Sequence, residues 1–139
     1  MALTEDRNVD HYLDQQLRTY LVAADAHIYR GALVTINASG YAQPLVATGA
    51  ENVFVGIAYE AVDATECADG AKSIRVFTVG DFLLPLSGIT IGNIGDVIKA
   101  TDDGTLTTNP LVGRFVGRAV DVPGPDQVLL RLITLEPIP

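Results

Sequence analysis

Phe54-Val55-Gly56-Ile57-Ala58 returns later in the chain as Phe115-Val116-Gly117-Arg118-Ala119. Each copy has two bulky apolar residues, a glycine, a variable position and an alanine. Each runs on into an apolar-acidic stretch, Tyr59-Glu60-Ala61-Val62-Asp63 in one case and Val120-Asp121-Val122 in the other. Bulky residues around a glycine suit a bulged strand, where a side chain would obstruct a neighbouring backbone. The phrase therefore predicts two core strands, with Phe54 and Phe115 buried and Gly56 and Gly117 allowing close approach of a strand or a subunit. It contains no nucleophile, general base or good metal ligand.

Outward from the two copies, the chain reads as glycine-punctuated β structure. Ala32-Leu33-Val34-Thr35-Ile36 is a strand, and Asn37-Ala38-Ser39-Gly40 is turn chemistry. Ser73 to Val79 puts Ile74 and Val76 on one face, with Arg75, Phe77 and Val79 on the other. Phe82-Leu83-Leu84-Pro85 follows, and Pro85 marks an edge or a strand end because it has no N–H to donate. Gly95 to Ala100 leads through Thr101-Asp102-Asp103-Gly104 to Thr105-Leu106-Thr107, a hairpin signal. Val128 to Leu135 is the last strand. About nine short strands and no helical period after residue 30 predict a mainly β body, a small closed or nearly closed barrel or a sandwich. The distance between the copies is too long for a solenoid repeat. Two related halves of one barrel are the better reading.

The first thirty residues differ from the rest, and from Leu17 to Ala24 the reading shifts to strand, with Thr19, Tyr20, Leu21 and Val22. Residues 4–18 are polar, with neither glycine nor proline. Val9, Tyr12, Leu13 and Leu17 are spaced for a short amphipathic helix. An extended arm fits equally, since so short a helix is marginal alone. The expected division is an arm over 1–20 and one β domain over 21–139.

The 139 residues suit a single domain able to bury about two-thirds of its unfolded surface. Hydrophobic residues make up 48% and mean hydropathy is +0.28. Charged residues are only 19%, against roughly 25% in ordinary soluble domains. No apolar run approaches the roughly 20 residues of a membrane-spanning helix, so no membrane partner is expected. A subunit interface is the natural destination for the excess. A net charge of −8, with nine scattered basic residues, argues against nucleic acid. Cys67 has no partner for an intrachain disulfide. The start of the chain lacks a signal-peptide pattern, so export is not expected.

Candidate reactive groups each have a simpler reading. His11 and His27 are surface or interface histidines, with no sequence basis for a triad. Gly88 to Gly95 has the wrong spacing for a phosphate loop. Asp63, Glu66 and Asp69 form an acidic loop that does not match an EF-hand. Lys99 lacks the context of a lipoyl or biotinyl carrier lysine. Cys67 lacks activating cations. No catalytic residue, metal ligand or cofactor is assigned, and the chain is not expected to be an enzyme.

The order of landmarks is more specific than any one of them. Ile28-Tyr29-Arg30-Gly31-Ala32-Leu33-Val34 opens the series. Phe54 to Ala58 comes next, then Arg75-Val76 through Gly80. The Gly95 to Thr107 hairpin follows, then Val112-Gly113-Arg114 and its echo at 116–118, and a final apolar strand. This series, over residues 28–135, resembles the capsid decoration, or cement, proteins of tailed bacteriophages. The arm is not part of the resemblance. The resemblance implies a β-barrel or β-tulip-like body, a homotrimer on the outer surface of the head, with the major capsid protein as partner and synthesis in the host cytoplasm. It implies a mechanical role, bridging capsid subunits. Under it, Tyr12, Leu13, Leu17 and Tyr20 are the expected contacts to a neighbouring subunit or the capsid. The alternative for Leu17 and Tyr20 is that they cover their own barrel. Another virion part, a head fibre base or a head–tail joining piece, remains open, as does a small hydrolase or carrier barrel.

Overall fold

The computed structural model describes residues 17–135. Twelve strands follow in order: β1 Leu17–Leu21, β2 His27–Ile28, β3 Leu33–Ile36, β4 Ala42–Pro44, β5 Val53–Ala58, β6 Val62–Asp63, β7 Ser73–Phe77, β8 Asp81–Pro85, β9 Val97–Ala100, β10 Leu106–Thr107, β11 Arg114–Gly124 and β12 Gln127–Leu132. The only helical piece among the described residues is a 3-10 turn at Ile91–Asn93. The body is mainly β, as the alternation of apolar and polar residues predicts. β1 lies within the Leu17 to Ala24 stretch read as strand and brings Leu17 to Tyr20, also counted with the arm, into the first sheet beside β7.

Two five-stranded antiparallel sheets carry the fold, in the orders β1-β7-β5-β3-β4 and β8-β12-β11-β9-β10. These are the same order. β1 corresponds to β8, β7 to β12, β5 to β11, β3 to β9 and β4 to β10. The register agrees residue by residue. Thr35 faces Phe54 and Val34 faces Gly56, with the ladder shifted between them. Lys99 faces Phe115 and Ile98 faces Gly117, with the same shift. The hairpin turns also match. The Asn37 N–H donates to the Tyr41 carbonyl at 2.9 Å, and the Thr101 N–H donates to the Thr105 carbonyl at 3.0 Å. Asn37 Oδ1 accepts from the Ser39 and Tyr41 amides, and Asp102 Oδ1 accepts from the Gly104 amide, so each turn is held by its own Asx side chain. The described residues hold two copies of one five-stranded unit, with the β2–β6 pair added beside the first. The repeated phrase is the middle strand of each.

The copies pack head to tail. In the first unit, Val34, Val55, Ala58, Ile74 and Val76 form the inner face, and Ile28 and Ala64, beside the β2–β6 pair, complete that core. The other face of the same sheet, with Leu33, Phe54 and Ile57, joins the inner face of the second unit, including Ile98, Val116 and Leu130, in a second core. Phe54 is therefore buried between the units at 1% exposure. Phe115 holds the equivalent position in the second unit, where among the described residues no third unit covers it. It is half-buried, and Val116 is the core residue of that copy. The expectation that Phe115 is buried fails for this reason: identical local sequence meets different tertiary surroundings.

Candidate interaction surface

The two units differ at their seams. In the first, the sheet curls until Val22 bridges Ala42, and the Ala23 N–H donates to the Ala42 carbonyl at 2.9 Å. In the second, the equivalent residues are Leu86 and Leu106, and among the described residues no bridge joins them. A hollow of about 330 Å³ lies there instead, lined by Leu86, Ser87, Leu106 and Thr107 among others. The β9–β10 turn is held elsewhere, because the Leu33 N–H of the first unit donates to the Asp103 carbonyl at 2.9 Å. One edge of β8, opposite its partner β12, is thus left free.

Two further hollows, of about 280 and 200 Å³, continue from this one along β8. They share Leu84 with each other, and the smaller shares Pro85, Gly104 and Leu106 with the open seam. Together they form one groove. Its stretch beside the first unit is mainly apolar, with Phe82, Leu83 and Leu84 from β8, Ile57 and Phe77 from the first unit, and Tyr59 just after β5, whereas the open seam adds Ser87, Thr105, Thr107, Thr108 and Asp126. Leu83 is 53% exposed and Tyr59 is 40% exposed. A free strand edge beside apolar walls is the geometry that receives an extended chain.

A cluster of three aromatic rings sets the near end. The Tyr59 and Phe77 rings meet edge to face at 5.3 Å, and Phe77 lies 5.3 Å from Phe82. The Arg75 guanidinium covers Tyr59 at 4.8 Å from its centroid and forks onto Glu60 through contacts of 2.9 and 3.2 Å. These hydrogen bonds hold the Glu60 carboxyl below, and the Arg75 guanidinium above, their ordinary pKa values. Arg30 also lines the groove and has no ion pair among the described residues.

Arg114 of β11 locks the second unit to the first. Its side chain is 2% exposed and donates to four carbonyls of the first unit: Val46, Thr48, Gly49 and Asn52. Burial lowers its pKa, against the opposing influence of Glu51. Four oriented carbonyl dipoles compensate the buried charge.

Tyr12 and Leu13 lie outside the described residues, as does His11. Leu17 is half-buried opposite Phe77, and Tyr20 is half-buried against the first-unit core. Burial raises the Tyr20 phenol pKa, and Arg18 opposes that rise. Gly56 and Gly117 both serve strand-to-strand approach. A Cβ on Gly56 would stand 1.8 Å from the Phe77 carbonyl oxygen, and one on Gly117 2.0 Å from that of Arg131. The acidic-loop carboxylates serve their own backbone: Asp63 accepts from the Thr65 amide and Asp69 from the Ala24 amide. Among the described residues, no cluster of three or more His, Cys, Asp or Glu is placed to hold a metal ion.

The groove was not anticipated as a site. Its signal was Phe82-Leu83-Leu84, apolar on both faces of a strand that Pro85 marks as an edge. No described helix is long and apolar enough to cross a membrane. No family model, curated protein or solved structure matches this chain.

Proposed function

We propose that this chain is a capsid decoration protein of a tailed bacteriophage, a trimer that binds the outer surface of the head and bridges capsid subunits. The observation that carries this reading is a largely apolar groove beside a free strand edge, on a body whose landmark order from 28 to 135 resembles that of such proteins. The groove offers backbone pairing and apolar contact rather than a convergent reactive set. Apolar burial contributes about 25 cal/mol per Å², and a trimer touching several subunits at once gains further from effective concentration. The net charge of −8 suits a shell exterior that does not compete for packaged DNA.

The test is co-sedimentation with empty, expanded heads built from the major capsid protein of the encoding phage. Saturable binding at repeated surface sites, with decorated heads rupturing at a higher temperature, is the expected result. Binding confined to one vertex would assign the chain to a head–tail joining role. Absence of binding at saturating protein would end the decoration reading.

A further inference from the structure

We propose that the groove along β8 receives residues 1–16 of a neighbouring copy, so that exchanged N-terminal arms build the oligomer. The inference rests on the self-association in the reading above, and not on capsid binding.

Position comes first. Leu17 pairs with Phe77, and Phe77 is a wall of the groove. Each arm therefore leaves its body at the mouth of a groove. Sixteen extended residues reach roughly 53 Å, whereas a body of this length is roughly 35 Å across. The arm is long enough to cross to the next body.

Chemistry agrees with position. Residues 1–16 carry Glu5, Asp6, Asp10 and Asp14 against a single arginine, Arg7. The hollow beside Phe77, where the arm leaves, carries Arg30 as its charged lining residue, without an acidic partner among the described residues, while Asp103 and Asp126 line the two farther hollows. Val9, Tyr12 and Leu13 supply the apolar side chains that the exposed Leu83 and Tyr59 call for. A strand laid against β8 would pair its free backbone edge, which natural proteins seldom leave uncovered beside apolar side chains. Donor and acceptor surfaces are different parts of the molecule, so the contact is heterologous and closes a ring when the rotation permits. That suits a trimer.

Two single-cysteine chains test it, both in a Cys67→Ser background. One carries Leu13→Cys and the other Leu83→Cys. Mixed and mildly oxidised, they should form a disulfide-linked pair of twice the chain mass. Leu111→Cys, at an exposed site that does not line the groove, should not pair with Leu13→Cys. A mixed pair no more abundant than this control overturns the proposal. A double variant that closes within one chain, independent of dilution, overturns exchange in favour of the chain's own groove. In parallel, deleting residues 1–16 should reduce the solution mass to one chain with an unchanged β circular-dichroism signal, and an unchanged oligomer would refute the arm's role. Leu83→Asp should dissociate the full-length oligomer without unfolding it, and Arg30→Glu should weaken association about fivefold. If arm exchange holds but heads are not bound, the decoration reading alone fails.

Discussion

Gly56 and Gly117 hold one position in two sheets. Each sits at a ladder shift, and a Cβ on either would collide with a carbonyl oxygen of the strand on its other side, that of Phe77 or Arg131. Gly56 also has φ +145, a conformation side chains rarely adopt. Gly56→Ala and Gly117→Ala should each cost about 3 kcal/mol, the upper end of backbone strain and overpacking. Gly104→Ala, with the nearest atom 4.0 Å away, should stay within about 0.5 kcal/mol. Urea midpoints at constant m value decide between them.

Phe54 and Phe115 separate local sequence from tertiary position. Phe54→Ala empties a site between the units and should cost about 3–5 kcal/mol. Phe115→Ala, on an uncovered face, should cost less than half as much. Equal losses in equilibrium unfolding would show that the second face is covered in solution.

Arg114→Met removes the group that satisfies four carbonyls of the other unit. The loss should be about 1–3 kcal/mol, because the buried Asn52 carbonyl is left without its donor, while the Thr48 and Gly49 carbonyls keep bonds from Asn52. Arg114→Lys should recover only part of it, since an ammonium cannot reproduce the planar fork. Thermal unfolding of the three proteins is the measurement. Full rescue by lysine would mean that charge alone matters.

Acid should destabilise the fold. Glu60, Asp63, Asp81 and Asp102 titrate below their ordinary values, held chiefly by hydrogen bonds from Arg75, Thr65, Arg131 and Gly104 respectively. The unfolded chain therefore takes up protons first as pH falls. The stability these groups contribute is present above the ordinary carboxylate range near pH 4 and is lost as pH drops through the lower folded values. The groups are exposed, so each contribution is small. Urea midpoints should fall below about pH 4, and Asp81→Asn should reduce the slope. A midpoint at pH 3 equal to that at pH 6 would contradict this account.

The wall of the groove offers a separate check. Tyr59→Ala and Leu83→Ala remove partly exposed apolar surface, so each should change monomer stability by less than about 1 kcal/mol. A larger loss on either would mark the groove as part of the core. In the chain lacking residues 1–16, hydrogen exchange should find the free-edge amides of β8 faster than those of β12, which is paired on both sides.

Phe54-Val55-Gly56 and its echo, the Asp102-Asp103-Gly104 turn and the edge proline Pro85 were legible because each is a local matter. Glycine at a bulge, an Asx side chain in a turn and a missing N–H act within a few residues. From them the sequence by itself determined a mainly β chain with two related core strands. It could not assign Phe115 to an open face, because burial there depends on whether another unit lies above. Nor could it reveal that the Val22–Ala42 seam closes while Leu86 and Leu106 stay apart. That difference arises when the Leu33 amide binds the Asp103 carbonyl and holds the β9–β10 turn against the first unit. Only the tertiary structure decides such things, because the two partners are far apart in the chain and meet only after both units have folded.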